Sequence, residues 1–469
     1  LSIIVALLVV AVAGAALVWR PAIAAIDPPA PPSFDPALVR RGGQLAAMGN
    51  CASCHTLAPD APQAVADRAG AAPGGPKAFA GGVPVPTPFG TVYSTNITPD
   101  PDTGIGRWSE QAFRRAMRDG VSRDGHHLYP TFPYDHFTHV SDADDRALYA
   151  YLMTRAPVRA EPPANRLSFP YDQRPLVAGW KLLFLHPRAV QQEAAQTAAW
   201  NRGAYLVEGL AHCGACHTPR NALGAERPQA AFAGGQSGHW QAYALTAQSP
   251  APVPWTQEAL AFYLRHGWQA DHGVARGPMA EVTANLATVD EADVAAIAAY
   301  TAALFGAPDP DRRAAGAAAR GQAVPAPSAA AAQTAATLSL VKPASAKDGP
   351  GAAIYQAACA NCHESARPLP YAGVNLHLST GLSAPEPRNA ALTILQGLAP
   401  REGERSPIMP AFAATLSDAQ LAALLDYLRS RFSARPPWTD LAGQVAQARA
   451  ATVQRTASDS SSPPKATAR

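Results

Sequence analysis

The chain has 469 residues, which points to about three domains of ordinary size, and its formal net charge is only +3. So slight a basic excess excludes a polyanion-binding surface as the organising feature, and no nucleic-acid partner is expected. The 46 prolines imply many fixed turns and loops.

In chain order, Leu1 to Trp19 is apolar or small apart from Ser2, and Arg20 follows. A run of about 18 or more such residues can span a bilayer, so a transmembrane anchor is expected over residues 1–20. The rival is a cleaved export signal, whose apolar core is usually about 7–15 residues. Ala22-Ile23-Ala24 offers such a signal a small-x-small site. A proline-rich linker, Asp27 to Phe34, leads into the first segment.

All six cysteines fall in three copies of Cys-x-x-Cys-His: Cys51/Cys54/His55, Cys213/Cys216/His217 and Cys359/Cys362/His363. This spacing puts two thiols on one side of a short helical turn, where they can add to the two vinyl groups of a porphyrin. The following histidine then faces the iron as proximal ligand. One copy alone would also suit a zinc half-site or a redox pair. Three copies with no cysteine left over favour three covalently bound haem c groups.

The fold class expected is mainly α, with three tandem cytochrome c domains after an N-terminal transmembrane helix. The domains are placed at 34–163, 198–305 and 351–432, with an Ala/Pro-rich linker at 306–350 and a disordered tail at 457–469. Each segment opens with a short helix carrying the motif and closes with a second helix of shared pattern. Ser141, Asp290 and Ser417 open those closing helices, with an acid or Gln three residues later, a capping-box signature. The apolar stripes that follow include Ala147 and Tyr151, Ala296 and Tyr300, Ala423 and Tyr427. Phe79-Ala80-Gly81-Gly82 and Phe232-Ala233-Gly234-Gly235 also match; they suit close approach to a flat cofactor or an ordinary turn. A tail helix near Trp438 to Gln454 reads as a packing helix, with Leu441, Val445 and Ala448 on one stripe.

An electron-transfer haem takes a second axial ligand, Met or His. Met279 and Met409 are each the sole Met of their segment and lie beside a proline, so both are assigned as distal ligands. In the first segment the corresponding slot between two prolines is Phe132, which cannot ligate. His136 is the leading choice there, with His127, His126 and Met117 as competitors. A bis-His haem has a lower potential than a His/Met haem, which the choice of His136 implies for the first site.

Leu128-Tyr129-Pro130-Thr131-Phe132-Pro133-Tyr134, Ser94 to Asp100 with Gly104-Ile105-Gly106, and His212 to Asn221 resemble the three-haem cytochrome c subunits of periplasmic membrane-bound dehydrogenases. The resemblance runs from the anchor to about Pro436. It implies an inner-membrane protein with haem domains in the periplasm, where haem c is attached. The Phe132 form looks more like the subunit of molybdopterin-dependent aldehyde dehydrogenase complexes. That likeness implies a large dehydrogenase subunit, a small iron–sulfur subunit, membrane lipid, and ubiquinone as electron acceptor. The alternatives are the cytochrome subunit of a quinoprotein alcohol dehydrogenase or of a flavin sugar-acid dehydrogenase. No catalytic residue is expected on the chain itself. A haem peroxidase is the rival of another class, motivated by an open first iron under Phe132.

Overall fold

The computed structural model describes residues 18–57, 78–308, 310–321, 349–365, 370, 373–399 and 406–460. These residues are mainly helical, and their strands are short and antiparallel. Pro84–Thr87, Gly90–Tyr93 and Arg166–Leu167 form one small sheet, and Gly235–Ser237 pairs with Trp240–Ala242. No described helix is long and apolar enough to cross a membrane. The anchor expected at 1–20 lies, through residue 17, outside the described residues.

A helical pattern occurs three times. Its first helices are Pro36–Met48, Ala198–Glu208 and Gly349–Ala358, and its closing helices are Asp142–Met153, Glu291–Phe305 and Asp418–Phe432. Local chemistry starts them. Asp35, Thr197 and Ser141 accept hydrogen bonds from first-turn amides, and Ser417 with Gln420 completes a reciprocal capping box.

In each repeat a glycine sets the crossing of the two helices. A Cβ on Gly42 would stand 1.9 Å from the Ala147 carbonyl oxygen and 2.6 Å from Tyr151 Cβ. On Gly203 it would stand 2.0 Å from the Ala296 oxygen and 2.8 Å from Tyr300 Cβ. On Gly351 it would stand 2.1 Å from the Ala423 oxygen and 2.8 Å from Tyr427 Cβ. Only a residue without a side chain lets the backbones come this close. The alanines and tyrosines are those of the sequence stripes; their glycine partners carry no such signal alone.

Between these helices each repeat has a middle helix: Glu110–Asp119, Gln257–His266 and Arg388–Gln396. Gly120, Gly267 and Gly397 end them with φ of +58°, +72° and +65°, each returning its N–H to the carbonyl four residues back.

The chain divides into two compact units. One holds Ala71–Ala231, Asn285–Tyr300 and the chain before Pro59; the other holds Phe232–Ala284 and Thr301–Arg469. Leu45, Phe79, Leu148 and Met153 are among the buried core residues of the first. Tyr355, Leu392, Leu421, Leu425 and Val445 are among those of the second.

Two boundaries differ from those the composition suggests. Residues 310–321, placed in a linker, form the helix Pro310–Gly321. Arg312 there donates to the Ser249 carbonyl at 2.6 Å, and Arg320 pairs with Asp271 at 2.8 Å. Alanine and arginine are good helix formers, and these anchors hold the helix in place. The final helix, Leu441–Ser460, includes four residues assigned to the disordered tail; residues 461–469 lie outside the described residues. Val445 and Ala448 are buried, as a packing helix requires.

Candidate functional site

The three motifs sit on short helical turns directly after the first helices: Cys51–His55, Gly214–His217 and Ala360–His363. Asn50 and His212, just before the first two, take positive φ of 51° and 38°, which swings the chain into the turn. The Asn285 amide donates to Asn50 Oδ1 at 2.8 Å and to Ser53 Oγ at 3.3 Å, bracing the first motif.

None of the six cysteines is in a disulfide. Burial pushes Cys51 and Cys213 up to about 12 and Cys359 up to about 11. A dithiol redox centre works through a low-pKa thiolate, so Cys51, Cys213 and Cys359 are poorly suited to that chemistry.

The proximal histidines have the orientation an iron ligand needs. His55 Nδ1 lies 2.7 Å from the Thr95 carbonyl oxygen, and His363 Nδ1 lies 2.9 Å from that of Val374. A carbonyl accepts only, so Nδ1 carries the proton and Nε2 keeps its lone pair. Burial lowers the pKa of both rings and keeps them neutral, the form that binds metal. This donor set fits haem c. Around the second motif, Arg220 donates to the Ala215 carbonyl at 2.8 Å and to the Gly224 carbonyl at 2.7 Å, tying the turn to the loop after it.

The glycine-pair segments begin in turns at Phe79 and Phe232. Phe79 and Phe232 adopt φ of 62° and 58°, and the Gly81 N–H donates to the His55 carbonyl at 2.8 Å. A Cβ on Gly81 would meet the Thr95 backbone at 2.4 Å, so its neighbour is the protein's own chain.

Met279 opens the helix Pro278–Leu286 and is half-buried. Met409 is half-buried and pinned by two backbone hydrogen bonds with Leu398, at 2.7 and 3.0 Å.

The first-site candidates have very different surroundings. His136 Nδ1 donates to the Glu208 carbonyl and Nε2 to Glu226 Oε1, both at 2.8 Å. Both ring nitrogens of this leading sequence choice are thus engaged within the protein. Burial alone would lower this pKa; the bond and charge of Glu226 outweigh it and raise it to about 9. His127 receives the Lys181 ammonium at Nδ1 and meets the Val18 carbonyl at Nε2, both at 3.0 Å. His126 is exposed and lies 2.6 Å from Asp124. Met117 is buried in a cluster against which the partly buried Phe132 and Cys51 pack.

A charge network went unseen in the sequence. Arg41 reaches Asp293 at 2.9 Å and Asp144 at 3.3 Å, and Arg202 reaches Asp293 at 2.8 Å. Arg41 and Arg202 each precede a crossing glycine, the one signal that could have paired them. Burial would raise the Asp293 carboxyl, but the two guanidinium groups outweigh it and hold it below the ordinary range.

Residues 346–428 match the family model described as cytochrome c oxidase, cbb3-type, subunit III. A gluconate 2-dehydrogenase cytochrome c subunit of Pantoea cypripedii is 34% identical, over 88% of this chain and 90% of its own length. A fructose dehydrogenase cytochrome subunit of Gluconobacter japonicus is 33% identical, over 86% of this chain and 81% of its own. A nicotinate dehydrogenase subunit of Pseudomonas putida is 44% identical over 93% of this chain, which spans only 34% of that relative's length. A cytochrome c domain is therefore present, and with it the expectation of haem c. The chain belongs to the cytochrome c electron-transfer subunits of dehydrogenases.

Proposed function

We propose that the chain carries three covalent haem c groups, one in each helical repeat. Thioether links form at Cys51 and Cys54, Cys213 and Cys216, Cys359 and Cys362. His55, His217 and His363 are the proximal ligands, and Met279 and Met409 close the second and third sites. The observation that carries this reading is the threefold recurrence of a motif turn on a glycine-crossed helix pair, together with the Nδ1–carbonyl bonds of His55 and His363.

Bound haem supplies a one-electron iron couple. The chain's own residues would hold each ring by two sulfurs, and the carbonyls on His55 and His363 would fix the tautomer that binds iron at their sites. Groups held in this way would pass electrons without any substrate bond being made.

The donor is a dehydrogenase large subunit, of the molybdopterin aldehyde dehydrogenase kind, acting through a small iron–sulfur subunit. The acceptor is ubiquinone. The N-terminal apolar run anchors the chain in the inner membrane with the haem domains in the periplasm. The relative at 44% identity is named for nicotinate oxidation, which makes an aromatic heterocycle the alternative substrate of the partner.

Intact mass and pyridine haemochrome of the exported protein test the cofactor reading: three haems per chain are expected, and none would overturn it. Mass spectrometry of the purified membrane complex tests the partner. A large molybdenum-binding subunit supports the proposal, and a quinoprotein or flavoprotein in its place refutes it.

A further inference from the structure

A shared register compares the three repeats position by position. Counted from the glycine that ends each middle helix, Phe132, Met279 and Met409 all stand twelve residues on. Repeats one and two also make the same turn in between. Val121 pairs with His127 as Trp268 pairs with Val274, and Leu128 and Ala275 each donate to the glycine carbonyl at 2.7 Å. Phe132 therefore occupies a methionine slot without offering a ligand atom.

Counted three residues back from the same glycines, the chain has Met117, Leu264 and Ile394, with exposures of 6%, 7% and 8%. The two repeats with a methionine twelve residues on carry an aliphatic residue on the middle helix. The repeat with a loop phenylalanine carries a methionine there instead. Leu and Met exchange at little cost in a core, so packing alone does not call for sulfur at this position. Only five methionines exist in the chain, and each repeat retains one thioether at one of these two register positions. Phe132 and Cys51 of the first motif, both partly buried, pack against the buried cluster that contains Met117. The competing His136 and His127 each have both ring nitrogens hydrogen-bonded.

We propose that Met117 Sγ is the sixth ligand of the haem held at Cys51, Cys54 and His55, with Phe132 as an apolar cover beside it. The assignment rests on reading that motif as a haem site. The first site is then His/Met, like the other two, rather than bis-His.

The test uses the full-length, haem-loaded chain and compares the wild type with Met117→Leu, which installs the residue of the second repeat. The wild type is expected to show three thioether-ligated ferric haems in its red charge-transfer band and to resist carbon monoxide when reduced. Met117→Leu should keep three haems by pyridine haemochrome, lose one third of that band and bind carbon monoxide at one haem in three. Adding Phe132→Met should restore closure. Carbon monoxide binding to one wild-type haem, or an unchanged spectrum in Met117→Leu, overturns the proposal. If the variant does not accumulate, the wild-type band decides: three thioether ligations support the assignment and two refute it. A Cys51→Ala/Cys54→Ala chain that still carries three haems refutes the underlying haem site itself, a separate outcome.

Discussion

Gly351 lies so close to Ala423 that a methyl group on it would stand 2.1 Å from the Ala423 carbonyl oxygen. The same approach joins Gly42 to Ala147 and Gly203 to Ala296. The helix that presents each motif is thereby locked to the helix that closes its repeat. A motif turn placed by this crossing inherits its rigidity.

Substitution at the crossing is the direct check. Gly42→Ala or Gly351→Ala should destabilise the protein by about 1–3 kcal/mol through overpacking. Gly179, a helical glycine with nothing within 4 Å of its added Cβ, is the control. Gly179→Ala should be neutral or stabilising, since alanine favours a helix by up to about 1 kcal/mol over glycine. Thermal unfolding of the two sets should move in opposite directions.

The Asp293 network predicts an acid limb. Its carboxyl is held below the unfolded value of about 3.9, so its contribution is present above that pH and lost as pH falls through the folded value. Asp293→Asn should lower stability at neutral pH by about 1–3 kcal/mol, between surface and fully buried pairs. The gap from wild type should close toward pH 3 (about one unit below the unfolded value) in denaturant titrations.

His136 and Glu226 predict an alkaline limb. The His136 pKa is raised to about 9, so its stabilisation is complete below the unfolded value and is lost as pH rises through about 9. Burial opposes the charge on Glu226, but His136 outweighs it and depresses its pKa, so that share is present above about 4.3 and lost at lower pH. Glu226→Gln should cost about 3 kcal/mol near pH 6 and much less near pH 10, read from stability against pH.

Met279 and Met409 predict potentials. On the proposed three-haem ligation, replacing either with His should lower the potential of one haem in three while the haem count stays at three, because imidazole stabilises ferric iron relative to a thioether. Replacing either with Ala should open one haem to carbon monoxide. Spectroelectrochemical titration and difference spectra measure both.

The helical class, the closing-helix stripes and the motif turns were legible in the chain because each is a local matter. Short-range spacing fixes a motif turn, and period fixes a helix face. The helix Pro310–Gly321 was hidden by a composition that also suits a linker, and it is held by Arg312 and Arg320 acting on distant backbone and charge.

Sequence by itself determined what chemistry the protein has to hand: three pairs of thiols, three following histidines, and a first repeat lacking its loop methionine. Tertiary structure decided which groups are at liberty to use it. His136 looked available in the chain and is bound at both nitrogens by Glu208 and Glu226, each more than seventy residues away. His55 is oriented by a carbonyl forty residues on. A hydrogen bond depends on the distance between two groups in space, and only the folded backbone sets that distance.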